Sequence, residues 1–174
     1  MSGRLAEAVK NIENKKTILE VGCGTGFVLN FLADNLPGSS LSGFDISSIA
    51  IQHARQKFPK HDCTVGDIGS LKFAPEEKYD IVIFNQILWY ILENLQTAVF
   101  NAGKLLRPGG HLRISMGYLK EQRYGLDIAD GFDGCREFME IHHKQLFSLI
   151  YSQLDDSGDF LLNDGLHSFR KIGF

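Results

Sequence analysis

The stretch Thr17-Ile18-Leu19-Glu20-Val21-Gly22-Cys23-Gly24-Thr25-Gly26 runs from a short apolar strand straight into a turn with glycine at every second position. Residues 27–36 follow with helical spacing and stop at Pro37-Gly38. Alternate glycines let the backbone bend tightly and approach a ligand where a Cβ would intrude. They also leave amide groups exposed at the start of the helix that follows. In an open sheet of parallel strands such a turn lies at the carboxyl ends, where these folds bind ligands.

The same alternation continues outward. Residues 40–44 read as a second strand, and Ser47 can cap a helix over 48–58 that Pro59 ends. Residues 62–65 make a weaker third strand, and Tyr79-Asp80-Ile81-Val82-Ile83-Phe84 a strong fourth one. A helix over 95–106 ends at Arg107-Pro108-Gly109-Gly110, and residues 111–116 form a fifth strand. Upstream, Leu5, Ala8, Val9 and Ile12 have helical spacing. In the tail, residues 118–134 read as a loop and 138–154 have helical character, while 160–162 and 168–172 could close the sheet as an antiparallel pair. Strands apolar on both faces and separated by helices predict a parallel sheet covered on each side. The expected fold is therefore α/β: a Rossmann-like, doubly wound, mostly parallel sheet with helices on both faces. One domain should span 1–174, with a cofactor core over about 16–116 and a substrate-side region over about 117–174.

Composition excludes several classes. Hydrophobic residues make up 44% and charged residues 22% of 174, the balance of a globular chain with a real core. The net charge of −3 lacks the basic footprint of a nucleic-acid binder. Cys23, Cys63 and Cys135 are odd in number and have no CxxC spacing, which fits a reducing compartment and argues against a disulfide framework or a zinc site. The longest wholly apolar run, residues 87–92, is far short of a membrane span. The location expected by default is cytoplasmic, with no membrane, nucleic-acid or metal partner.

Three strand tips offer chemistry. Asp45, 19 residues past Gly26, ends Phe44-Asp45-Ile46 and can accept from both hydroxyls of an adenosine ribose; its structural alternative is a helix cap, for which Ser47 is better suited. Asp67 in Gly66-Asp67-Ile68 would stand beside the adenine or simply shape a turn. A dinucleotide fingerprint would be G-x-G-x-x-G, but here the third glycine comes one residue early and Phe27 takes its place. Glu20 would repel a pyrophosphate and suits a cationic ligand, so a nicotinamide oxidoreductase is disfavoured.

In this order, the first motif, then Phe44-Asp45-Ile46-Ser47, Gly66-Asp67-Ile68, residues 79–84 and Leu105-Leu106-Arg107-Pro108-Gly109-Gly110-His111-Leu112 resemble the class I S-adenosylmethionine-dependent methyltransferases. The resemblance covers roughly residues 16–115. It implies a seven-stranded sheet whose last strand is antiparallel, with S-adenosylmethionine as cofactor and S-adenosylhomocysteine as product. It also implies that Gly22, Cys23, Gly24 and Gly26 hold the methionine part, Asp45 the ribose, and Asp67 with Ile68 the adenine, with Ile46 also among the cofactor-binding residues. Glu20 would act on the methionine amine through water or loop amides, and Asn85 would face the methionine or the methyl group.

Methyl transfer from a sulfonium needs positioning and water exclusion first, and a general base only for a protonated or poorly nucleophilic acceptor. Asn85-Gln86-Ile87-Leu88-Trp89-Tyr90 follows the fourth strand and lacks the N/D-P-P-Y/F signature of enzymes that methylate nucleic-acid amines. Trp89 and Tyr90 could flank the acceptor or the sulfonium, or pack under the sheet edge. That segment and Gly131-Phe132-Asp133-Gly134 are similar to small-molecule methyltransferases, including nodulation-factor-type N-methyltransferases. Such relatives carry more chain before the first strand than the 16 residues here, so residues 118–136 become the candidate cover. His142 and His143 are adjacent on a helix and point about 100° apart, which disfavours a shared metal. Tyr90 and His142 remain the candidate catalytic side chains. The expected activity is methylation of a nitrogen or oxygen on a small molecule; the alternative is a catalytically silent cofactor-binding module or regulatory subunit. A homodimer is left open.

Overall fold

A computed structural model describes residues 16–70, 79–156 and 161–173. The helical spacing over 4–12 lies outside the described residues. Seven strands form one sheet: β1 (Thr17–Val21), β2 (Ser40–Asp45), β3 (Asp62–Val65), β4 (Tyr79–Asn85), β5 (Leu106–Leu119), β6 (Phe147–Asp156) and β7 (Leu162–Lys171). Their order across the sheet is β3-β2-β1-β4-β5-β7-β6. The pairs β1–β2, β2–β3, β1–β4 and β4–β5 are parallel. Strand β7 runs antiparallel to both β5 and β6. This is the doubly wound, mostly parallel architecture expected.

Alternation along the central strands builds two apolar layers, one on each face. Ile18, Ile81 and Ile83 point to one face and pack with Leu29 and Leu32 of α1 (Phe27–Asn35) and Ile51 and Ala54 of α2 (Ser48–Lys57). Leu19, Val21, Val82 and Phe84 point to the other. There they meet Leu88 of the short α3 (Leu88–Ile91), Leu95, Ala98 and Val99 of α4 (Leu95–Leu105), and Cys135, Phe138 and Met139 of α5 (Gly131–His142). Each fully buried isoleucine or phenylalanine in these layers contributes about 1.5–3 kcal/mol. Among the described residues, no helix is long and apolar enough to cross a membrane.

The tail differs from the sequence expectation. Helical character over 138–154 holds only to His142; Phe147–Asp156 is the edge strand β6. The closing antiparallel pairs are β5 with β7 and β7 with β6; residue 162 opens β7 itself, and residue 160 of the expected pair lies outside the described residues. The loop expected over 118–134 is shorter, because β5 continues to Leu119 and α5 begins at Gly131. The turn at residues 107–110 is present as a bulge: Leu106 pairs with Tyr79 and His111 with Ile81, so four residues loop out opposite Asp80 alone.

Because the chain winds to β2 and β3 on one side of β1 and then crosses to β4 and β5 on the other, the crevice between β1 and β4 opens at their carboxyl ends. The glycine turn, the tips of β2 and β3, and the start of α3 all meet there.

Candidate functional site

A cavity of about 570 Å³ occupies this crevice, within the range that holds a cofactor. Its wall includes Gly22, Asp45, Ile46, Asp67, Ile68, Asn85 and Tyr90, which the sequence singles out, together with Gln86, Ile87, Ile91 and Asn94.

The glycine turn begins where β1 ends. Gly22 and Cys23 donate their amides to the Phe44 carbonyl, which ties the turn to β2. At Gly22 φ is +70°, and a Cβ there would lie 2.5 Å from Ile87 Cγ2. At Gly24 φ is +53°, and the space a Cβ would fill is open. The turn is thus packed at Gly22, which lines the cavity, and open at Gly24.

Asp45, at the tip of β2, accepts from the Gly24 amide (2.9 Å) through Oδ2 and from the Ser47 amide (2.8 Å) through Oδ1. A carboxylate has about four acceptor positions, so two remain for ribose hydroxyls. Ser47, not Asp45, caps α2: its hydroxyl accepts from the Ala50 amide at 3.2 Å. Asp67 accepts from the Gly69 amide (2.9 Å), so it shapes a turn and lines the cavity at once. Buried Asn101 of α4 donates to the carbonyls of Ile68 (2.8 Å) and Ser70 (3.0 Å) and fixes this turn from below.

Glu20 lies under the cavity, 2% exposed and outside its wall. Burial pushes its carboxyl up to about 8, and the charge of Asp45 adds to this. Hydrogen bonds from the Asn85 side chain and the Leu29 backbone pull the other way. Its Oε2 is buried without a partner. A cation above the turn would favour the ionised form, so the residues present fit a ligand with a sulfonium and an ammonium group.

Besides Glu20, four expected site residues are placed differently. Gly24 is outside the cavity wall, although the space beside it is open. Cys23 does not line the cavity: its side chain turns into the layer with Leu29 and Cys63, against the bare Cα of Gly43. Gly26 packs toward Ala54 and Phe58 and is likewise outside the wall. His142, at the end of α5, lines two clefts beside Phe100 that share no residue with the cavity. Tyr90 stands at the cavity, 88% exposed, whereas Trp89 is half-buried and edge-on to Tyr118 at 6.1 Å.

Sequence reasoning missed Ile87, Ile91 and Asn94, although with Tyr90 they follow the i, i+3, i+4, i+7 spacing of one helical face. Gln86 gave no such signal, because nothing in its neighbours marks its left-handed φ of 58°.

The family described as a methyltransferase domain matches residues 19–112. The chain is 34% identical over 101 residues to a malonyl-[acyl-carrier protein] O-methyltransferase of Priestia megaterium, covering 56% of this chain and 35% of that one. It is 33% identical over 101 residues to a trans-aconitate 2-methyltransferase of Paracidovorax citrulli, covering 57% and 38%. Among solved structures, the N-methyltransferase NodS of Bradyrhizobium japonicum WM9 in complex with S-adenosyl-L-homocysteine shares the fold with a TM-score of 0.72, at 21% identity over 98% of this chain and 83% of that one. The chain spans less than half the length of these two curated relatives.

Proposed function

The chain belongs to the methyltransferase-domain family, and we propose that it transfers a methyl group from S-adenosylmethionine to a nitrogen or oxygen of a small molecule. The observation that carries this reading is the convergence of Gly22, Asp45, Asp67 with Ile68, and Asn85 on one cavity at the tips of four strands. Asp45 would take the ribose hydroxyls and the Asp67–Ile68 turn the adenine. The open side of Gly24 would take the methionine part, with Glu20 and Asn85 beneath it. A reducing, cytoplasmic setting fits three buried free cysteines.

When bound, S-adenosylmethionine supplies a methyl group already activated by the positive sulfur. What remains for the protein is to hold the acceptor in line with that methyl and to keep water away. The face made by Ile87, Tyr90, Ile91 and Asn94 closes the cavity on the acceptor side with two apolar and two polar side chains. Exposed Tyr90 can lie against an acceptor and can give or take a hydrogen bond.

The test is methyl transfer from labelled S-adenosylmethionine to a panel of amines, phenols, carboxylic acids and sugars. Turnover of an amine or oxygen acceptor is the expected result. Cofactor binding with no turnover across the panel would point instead to a silent binding module.

A further inference from the structure

We propose that Gln86 is the positioning residue of the acceptor-side segment, locking residues 87–91 to β5 so that Ile87 meets the glycine turn and Tyr90 faces the cavity; this rests on the methyltransferase reading above. Among the described residues Gln86 is the single non-glycine with positive φ, at 58°. Side chains rarely adopt that conformation, and it persists where the surroundings over-determine it.

The surroundings are specific. Backbone pairing between β4 and β5 ends at Asn85 opposite Ser115. One residue later the main chain turns away, and the Gln86 carboxamide continues the ladder in its place. The Gln86 amide donates to the Ser115 carbonyl at 2.8 Å, and Nε2 donates to the same oxygen at 3.3 Å. On the other side, Oε1 accepts from the Gly117 amide at 3.0 Å. The chain thus released is aimed at β1: Ile87 packs on Gly22, and the Tyr90 amide donates to the Ile87 carbonyl at 2.9 Å to start α3. Gln86 therefore links two structures that methyl transfer must keep in register, the cofactor turn and the β5 end that leads to Tyr118.

Trp89, the sole tryptophan, lies inside the positioned segment and reports on it. Two variants separate the clamp from the strained backbone. Gln86→Met keeps the length without the hydrogen bonds, and Gln86→Gly relieves the backbone as well. In both, acrylamide quenching of Trp89 should rise about twofold and S-adenosylhomocysteine should bind about tenfold more weakly, a loss of one clamped contact in scale. The Gly variant should do so with a melting midpoint no lower than wild type, which a purely structural role would not produce. Wild-type quenching and wild-type affinity in the Gly variant would overturn the proposal. Failure of the wild type to bind S-adenosylhomocysteine would instead overturn the functional reading, since the quenching comparison needs no ligand.

Discussion

At the scale of single residues, Gly22 and Gly24 separate stability from binding. Both have positive φ, and an alanine at either position costs about 1–2 kcal/mol for the backbone alone. At Gly22 the new Cβ would also collide with Ile87, whereas at Gly24 it would enter open space, where the functional reading puts the methionine part of the cofactor. Gly22→Ala should therefore lower the urea midpoint well beyond Gly24→Ala. Gly24→Ala should keep most of the stability and lose S-adenosylhomocysteine affinity. Equal midpoints for the two, or undiminished affinity in Gly24→Ala, would remove the distinction. The carboxylates were legible at this scale because their places at strand tips follow from element boundaries. The inward turn of Cys23 was not: it depends on the bare face of Gly43, a contact between β2 and the turn that no local pattern contains.

At the scale of elements, the alternating strands and helices from β1 to α4 are readable because each carries its own period. Strand β6 is not, for two physical reasons. It is the sheet edge, so Ile150, Tyr151 and Leu154 stay 43–48% exposed, and its register slips between Leu149 and Tyr151. A bulge shifts the alternation by one residue, and Phe147, Ile150, Tyr151 and Leu154 then imitate helical spacing. The start of α5 fails in the opposite sense. Gly131 and Gly134 have poor helix propensity, but burial of Cys135, Phe138 and Met139 against the sheet overrides it. The junction of α4 and β5 is held by a residue far along the chain: Lys171 of β7 donates to the carbonyls of Gly103 (2.8 Å) and Leu106 (2.9 Å). This contact ties the last strand to the end of α4, and no spacing in the sequence announces it.

For the whole molecule, buried titratable groups set the pH of greatest stability. Burial holds His111, His143 and His167 down to about 4, against 6.5 when unfolded. From pH 6.5 down to 4 the unfolded chain binds more protons at these three positions, so stability falls on acidification. Glu20 has the reverse sign: its carboxyl is raised from 4.5 to about 8, so between those values the folded state holds the extra proton. Its contribution is full below pH 4.5 and is lost as pH rises through 8, with a slope of up to about 1.4 kcal/mol per pH unit. Below 6.5 three histidines outweigh one glutamate, and from 6.5 to 8 Glu20 acts against little opposition. The ligand-free protein should melt highest near pH 6.5. Glu20→Gln should flatten the decline between 6.5 and 8 in a thermal-melt series, and an unchanged decline would assign it to other groups.

In the proposed function, the crevice between β1 and β4 is a cofactor site anchored by Asp45. The most direct measurement is calorimetric titration of the wild type and Asp45→Ala with S-adenosylhomocysteine, both checked for folding by their melting transitions. The wild type should bind in the micromolar range, and the variant should lose about tenfold or more, the scale of charged hydrogen bonds to the ribose. No heat from the wild type at millimolar ligand, or equal affinity in the two proteins, would contradict it.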